Sequence, residues 1–236
     1  MKLGKLYLIP SLLGPTEPAK SLPTYVLEVC NEIDFFVVEK AKSARRYLRS
    51  IGFTKDFDQL GFVELNKRTT WDDKLAFIQE AVKGKNIGVI SEAGCPGVAD
   101  PGADMVKLAH EFGIEVEPLV GPSSLLLALM GSGLNGQSFA FIGYLPRESK
   151  ERSKQIQHYE RLSKQLNQTQ LFIETPYRNH ALLEDILKTC RPDTLLNISA
   201  NLTLPDAYQV TKTIEDWKST KVKLDKKPTV FCLLSA

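Results

Sequence analysis

The chain of 236 residues is 43% hydrophobic and 25% charged, with a formal net charge of +2. These values match an ordinary globular protein and exclude a disordered chain, a collagen-like fibre and a coiled coil. So small a net charge excludes nucleic-acid binding by bulk electrostatics alone.

Short apolar runs alternate with segments of helical period, the pattern of an α/β chain with a mostly parallel sheet. Lys5–Pro10 reads as the first strand; Pro10 interrupts the apolar run and no small-x-small site follows, so no cleaved leader is expected. Tyr25–Ile33 reads as a helix with Val26, Val29, Cys30 and Ile33 on one face. Phe35–Glu39 is a strand buried on both faces, Ala44–Ile51 a short helix and Gly61–Asn66 a third strand. Thr70 caps a helix over Trp71–Lys83, with Asp72 and Asp73 in its first turn. Asn86–Ser91 and Ile114–Pro118 are the fourth and fifth strands. At Gly143-Tyr144-Leu145-Pro146 the pattern is punctuated and charge rises, which divides the chain into lobes 1–145 and 146–236. The second lobe holds a charged helix (Ser149–Leu166), a strand (Thr169–Glu174) and a helix (Asn179–Cys190). Apolar runs follow at Leu195–Ser199, Tyr208–Thr213 and Thr229–Leu234.

Cys30, Cys95, Cys190 and Cys232 form no C-x-x-C pair, and with three isolated histidines they offer no zinc spacing, so no metal is expected. A reduced, cytoplasmic, soluble chain is the reading, with no membrane partner, since no stretch approaches the ~20 apolar residues of a membrane helix.

Three turns carry the chemistry. Ser91-Glu92-Ala93-Gly94-Cys95-Pro96-Gly97-Val98-Ala99-Asp100-Pro101-Gly102 leaves a buried strand and enters a helix. Asp100 stands at the N-cap and Pro101 at the first helical position, so Asp100 reads as a structural cap rather than a catalytic acid. The glycines and prolines hold the loop in shapes that bring bare backbone N–H and C=O groups to a ligand. Such a ligand sits at the C-terminal edge of a parallel sheet, where open α/β folds bind. Val120-Gly121-Pro122-Ser123-Ser124 precedes an apolar helix (Leu125–Met130) whose start suits an anion such as a carboxylate. Pro10-Ser11-Leu12-Leu13-Gly14-Pro15 follows the first strand. Each alone also fits a plain strand-to-helix turn; three on one edge favour a site. G-x-G-x-x-G, G-x-x-x-x-G-K-[ST] and G-x-S-x-G are all absent, which argues against a dinucleotide enzyme, a P-loop NTPase and a nucleophile-elbow hydrolase.

Ser91–Gly102, Gly121–Ser124 and Phe141–Arg147 together resemble the tetrapyrrole (corrin/porphyrin) methylase superfamily, most closely its ribosomal RNA small-subunit methyltransferase I group. Leu6–Pro10, Phe172-Ile173-Glu174-Thr175-Pro176-Tyr177-Arg178 and Lys227–Leu234 extend the likeness over nearly the whole chain. The resemblance implies two α/β lobes, the first sheet mostly parallel and the second mixed, a homodimer, and S-adenosylmethionine folded into the cleft between the lobes. It implies cofactor contacts from Leu12, Leu13, Gly94, Cys95, Pro96, Val98, Ser123 and Ser124, with Thr175, Leu202 and Thr229 closing over the adenine. In that picture carbonyls of Gly94–Val98 face the cations and the Ser123/Ser124 helix start faces the carboxylate. The implied activity is S-adenosylmethionine-dependent 2′-O-methylation of a ribose in small-subunit (16S) rRNA. A tetrapyrrole or other small-molecule acceptor, and a non-catalytic cofactor-binding or regulatory role, are the alternatives.

The chain departs from that group on the substrate side. Leu13-Gly14-Pro15 stands for I-G-N, Glu39-Lys40-Ala41-Lys42 for E-D-T-R, and Glu64-Leu65-Asn66-Lys67-Arg68 for H-x-x-N-E. Ser199-Ala200-Asn201-Leu202-Thr203-Leu204 stands for A-R-E-L-T-K. An rRNA partner would meet clustered charge at residues 39–55 (net +5), 145–164 (net +3) and 212–227 (net +3), which are otherwise solvated helix faces. Tyr47, Tyr144 and Tyr159 are candidates for base stacking or for packing. A ribose hydroxyl loses its proton during attack, and Glu92, Glu64, Lys40 and Glu174 are the candidate bases. His110 and His158 fall on charged helix surfaces, His180 is a lesser candidate for touching substrate, and Cys95 lacks an evident base for a nucleophilic role.

Overall fold

The computed structural model describes residues 2–235. The chain divides into two compact units, Met1–Ser123 and Ser124–Ala236. In the first unit β1 (Leu6–Ile9), α1 (Thr24–Glu32), β2 (Phe35–Val38), α2 (Ala41–Ser50), β3 (Gly61–Glu64), α3 (Trp71–Val82), β4 (Ile87–Ile90), α4 (Gly102–Glu111) and β5 (Val116–Pro118) follow one another. The strands form one sheet in the order β3-β2-β4-β1-β5, every pair parallel. Helices on both faces explain why the strands read as unbroken apolar runs: all four residues of β4 are buried. One face packs Val26, Val29, Cys30, Ile33, Phe36 and Leu48 against α1 and α2. The other packs Leu6, Val37, Ile78, Ile87, Met105 and Leu108 against α3 and α4. Each such side chain contributes about 1.5–3 kcal/mol by leaving water.

The expected cap at Thr70 is present as a reciprocal capping box with Asp73. The start of α4 differs from expectation by one residue. Pro101, not Asp100, takes the cap position, and Asp100 acts from outside: its Oδ1 accepts the N–H groups of Gly97 and Gly102, both at 2.7 Å. A Cβ on Gly102 would lie 2.9 Å from that oxygen, so glycine leaves room for it.

The second unit runs α5 (Ser124–Ser132), β6 (Phe139–Tyr144), α6 (Ser149–Leu166), β7 (Thr169–Glu174), α7 (Asn179–Thr189), β8 (Leu195–Ala200), β9 (Tyr208–Thr213), α8 (Ile214–Lys218) and β10 (Thr229–Leu234). Its sheet is mixed, in the order β6-β7-β10-β8-β9, with β6 and β7 parallel and the remaining pairs antiparallel. Alternation along β10 sends Val230 and Cys232 toward α5 and Phe231 and Leu233 toward the core shared with Ile156, Leu182 and Trp217. The division into lobes at residue 145 is thereby corrected. β6 gives its backbone hydrogen bonds to β7, which carries α5 and β6 into the second unit and moves the division to Ser123/Ser124. Among the described residues no helix is long and apolar enough to cross a membrane.

Candidate active site

Since β1 and β4 are parallel neighbours in register (Ile9 opposite Ile90), both chains leave the sheet at the same edge. There they are tied together. Ser11 N–H donates to Gly94 O (2.8 Å) and Gly94 N–H to Ser11 O (3.2 Å). Ser11 Oγ donates to Ser91 O (2.7 Å), and Ser91 Oγ to Gly94 O (3.1 Å). Gly94 holds φ +75°, a left-handed conformation open to glycine at little cost. Leu12, Leu13, Gly94, Cys95, Pro96 and Val98 thus share one sheet edge as expected, with Val98 exposed. Ser11 and Ser91, which fasten the two loops, were absent from the sequence-based set; serines next to strand ends gave no distinguishing signal.

The carbonyls expected to face a cation are partly occupied. Gly94 O accepts two hydrogen bonds and Cys95 O accepts the Val98 N–H (3.3 Å). The Pro96 and Gly97 carbonyls accept none among the described residues. Cys95 Sγ lies 3.5 Å from Pro122 O, and burial pushes its thiol up, the opposite of an activated nucleophile. Ser123 closes the first unit, and Ser124 is the first residue of α5.

The four candidate bases separate cleanly. Glu64 Oε1 accepts the Ala41 N–H (2.9 Å) and so caps α2, whose own cap residue Lys40 has no suitable side chain. Lys40 Nζ lies 3.6 Å from Glu92 Oε2. Glu92 Oε1 accepts the Ser43 hydroxyl, and the Glu92 N–H donates to Glu39 Oε1 (2.9 Å). Of the four, Glu92 alone lines a groove of about 750 Å³ in the first unit. Glu174 belongs to the second unit. Its buried carboxylate lies 2.5 Å from Arg178 Nη2 and accepts the Thr175 N–H (2.6 Å), which fastens the turn after β7.

In the second unit Thr229 opens β10 opposite both Glu174 and Ala200, so Thr175, Leu202 and Thr229 gather at one end of that sheet. Asn179 Nδ2 donates to Lys227 O (2.8 Å) and Thr229 Oγ1 (3.1 Å). Buried atoms without a partner are concentrated here: Glu174 Oε2, Arg178 Nη1, Asn179 Oδ1 and Thr203 Oγ1. Thr203 and Asn201 hold φ +73° and +50°, left-handed values that cost a non-glycine residue about 1 kcal/mol or more. Unpaired buried acceptors beside strained backbone suit a ligand rich in N–H and O–H donors. Asn179, Arg178 and Thr203 were missed from sequence because nothing local sets them apart from ordinary helix-start and loop residues.

Of the remaining candidates, Tyr47, Tyr159, His158 and His180 have structural contacts. The Tyr47 hydroxyl donates to Pro10 O (2.5 Å) and burial raises its phenol; Tyr159 packs against Phe172, while Tyr144 is exposed. His180 Nε2 accepts the Leu224 N–H (3.3 Å), and His158 packs on Tyr159.

Comparison with known proteins places this arrangement in a family. The family described as tetrapyrrole (corrin/porphyrin) methylases matches residues 14–217. The ribosomal RNA small subunit methyltransferase I of Halalkalibacterium halodurans is 29% identical over 91% of this chain and 67% of its own length. That of Vibrio cholerae is 31% identical over 77% of this chain and 59% of its own. The chain therefore spans about two thirds or less of the length of these relatives. Among solved structures, uroporphyrin-III C-methyltransferase from Thermus thermophilus complexed with S-adenosyl homocysteine shares the fold (TM-score 0.56, 17% identity). It covers 98% of each chain. The chain belongs to the tetrapyrrole (corrin/porphyrin) methylases, and within that family of methyltransferases it groups with the ribosomal RNA small subunit methyltransferase I proteins.

Proposed function

We propose that this chain is an S-adenosylmethionine-dependent methyltransferase that places a methyl group on a ribose hydroxyl of small-subunit rRNA. The observation that carries the reading is the Ser11–Gly94 bridge, which holds the family's glycine-proline loop beside Leu12 and Leu13 at the sheet edge. The relatives, ribosomal RNA small subunit methyltransferases, supply the acceptor RNA, and the Thermus thermophilus neighbour's ligand supports the donor.

The residues fit that donor. The unpartnered Pro96 and Gly97 carbonyls of the first unit suit its cationic groups. Leu12, Leu13, Gly94, Cys95, Pro96, Val98, Ser123, Ser124, Thr175, Leu202 and Thr229 would hold it. When bound, it supplies the methyl group. The protein's own tasks are to position the acceptor and to take the hydroxyl proton, and Glu92 is the base in this reading. Glu64 and Glu174 already hold backbone N–H groups in place, and Lys40 is engaged with Glu92.

In this reading the protein works in the cytoplasm as a homodimer and meets the ribosomal small subunit through residues 39–55, 145–164 and 212–227. The test is transfer of labelled methyl from S-adenosylmethionine to small ribosomal subunits purified from a strain lacking the gene. Label in one ribose-methylated nucleoside is expected; no incorporation into RNA sinks the proposal.

A further inference from the structure

The groove on the first unit has a charge pattern set by a few unequal side chains. It measures about 750 Å³ and lies between the chain leaving β1, at Leu12 and Pro15, and the face of α2 that carries Ser43, Arg46 and Tyr47. Ser91 and Glu92 connect it to the glycine-proline loop. Its size falls within the roughly 300–1,000 Å³ of small-molecule sites.

The basic residues of α2 are not equivalent. Arg49 donates to Phe53 O (2.6 Å) and lies over the Phe57 ring, while Arg45 lies over Phe62. Those two guanidinium groups pack the helix to β3 and to the chain before it. Arg46 is exposed at the groove and makes no ion pair or hydrogen bond among the described residues. Glu92, also lining the groove, carries a carboxylate steadied by Ser43 and Lys40. Tyr47 forms part of the wall, with its hydroxyl tied to Pro10 O. The ligand chemistry that matches is one anionic group for Arg46 and one hydroxyl donor for Glu92, joined by a body that packs on a partly apolar wall. A ribonucleotide has these parts. A polycarboxylate macrocycle does not suit, because the groove offers Arg46 against two carboxylates, Glu17 and Glu92.

We propose that this groove holds one unstacked ribonucleotide of the acceptor RNA, its phosphate at Arg46 and its ribose hydroxyl at Glu92. This rests on the reading of the chain as an rRNA methyltransferase, and it assigns Arg46 as a residue that binds substrate. Sequence-specific recognition of RNA overwhelmingly targets unstacked, single-stranded nucleotides, which a groove of this size can take one at a time.

The test is titration of the full chain, without methyl donor, with each of the four ribonucleoside 3′-monophosphates and their 2′-deoxy counterparts, read by NMR shifts of backbone amides. Ser43, Tyr47 and Glu92 amides are expected to move, with the deoxy forms binding more weakly. Arg46→Ala should weaken binding about tenfold, the worth of one charge-assisted contact, with partial recovery in Arg46→Lys. Arg46 is exposed, so Arg46→Ala leaves the fold intact, and unchanged shifts far from the groove verify this. Nucleotides that move no groove amide, or that bind Arg46→Ala as tightly as wild type, overturn the proposal even if small subunits are methylated. Groove binding with Arg46 dependence, but without methyl transfer to small subunits, sustains the groove and overturns the rRNA reading instead.

Discussion

Gly94 and Asp100 show how single residues shape the loop. At Gly94 a side chain would meet Leu13 Cδ2 at 3.4 Å and Pro122 O at 3.5 Å, on a backbone already at φ +75°. Gly94→Val should therefore abolish S-adenosylmethionine binding in calorimetric titration. Gly113→Ala, at φ +66° in open space, should cost about 1 kcal/mol of stability and leave binding alone. Burial pushes the Asp100 carboxyl up, opposed by the N–H groups of Gly97 and Gly102. A raised value means that the folded state favours the protonated acid. Its stabilising contribution is therefore complete below the unfolded value of about 3.9 and is lost as pH rises through the higher folded value. As pH rises from below about 3.9, the urea midpoint of the wild type should fall relative to Asp100→Asn, which does not titrate there. The loop's position was legible in its glycines and prolines. The service of Glu64 as the cap of α2 was not, because the two groups lie 23 residues apart in sequence.

Helix α6 carries the same lesson at the scale of an element. Its limits, Ser149–Leu166, match the sequence reading, and Asn167 ends it in the left-handed conformation at φ +47°. Its inner stripe, however, is Arg152, Ile156, Glu160 and Ser163, largely polar and buried. Each polar member is partnered: Arg152 Nη2 with Asp185 Oδ2 (2.5 Å), Glu160 with Thr194 Oγ1 (2.6 Å) and Ser163 with the Ser235 N–H (2.9 Å). Arg152 also donates to Arg147 O (2.7 Å), which anchors the turn after β6. Arg152→Ala strands the buried Asp185 carboxylate and should cost about 3–5 kcal/mol in urea denaturation. Lys154→Ala, whose partner Glu151 is exposed, should cost under about 0.5 kcal/mol. A count of bases along residues 145–164 included Arg152 as surface charge; its burial with Asp185 removes it from any RNA-facing set.

Over the whole molecule, modest net charge combined with local clusters makes RNA association a matter of placement. Binding to small ribosomal subunits should weaken roughly tenfold between 50 and 200 mM salt for two phosphate contacts, and Arg46→Ala should lower the slope of log K against log salt by about 1. A salt-independent affinity would show that the clusters do not meet phosphate. Each unit covers both faces of its own sheet, so the two cores are separate bodies of packing.

The alternation of apolar runs with helical periods determined most of the order of elements, though not β6 or α8, and the mostly parallel first sheet, because those patterns are local and each strand or helix declares its own buried face. Glycine and proline likewise marked the loops at the sheet edge, since few residues adopt their backbone shapes. The sheet that β6 joins, the partners of Glu64, Glu92 and Glu174, and the freedom of Arg46 beside the packed Arg45 and Arg49 were decided by tertiary structure alone. Those outcomes depend on hydrogen bonds and packing between segments distant in sequence. A residue type at one position carries no record of the group that folding brings within 3 Å of it.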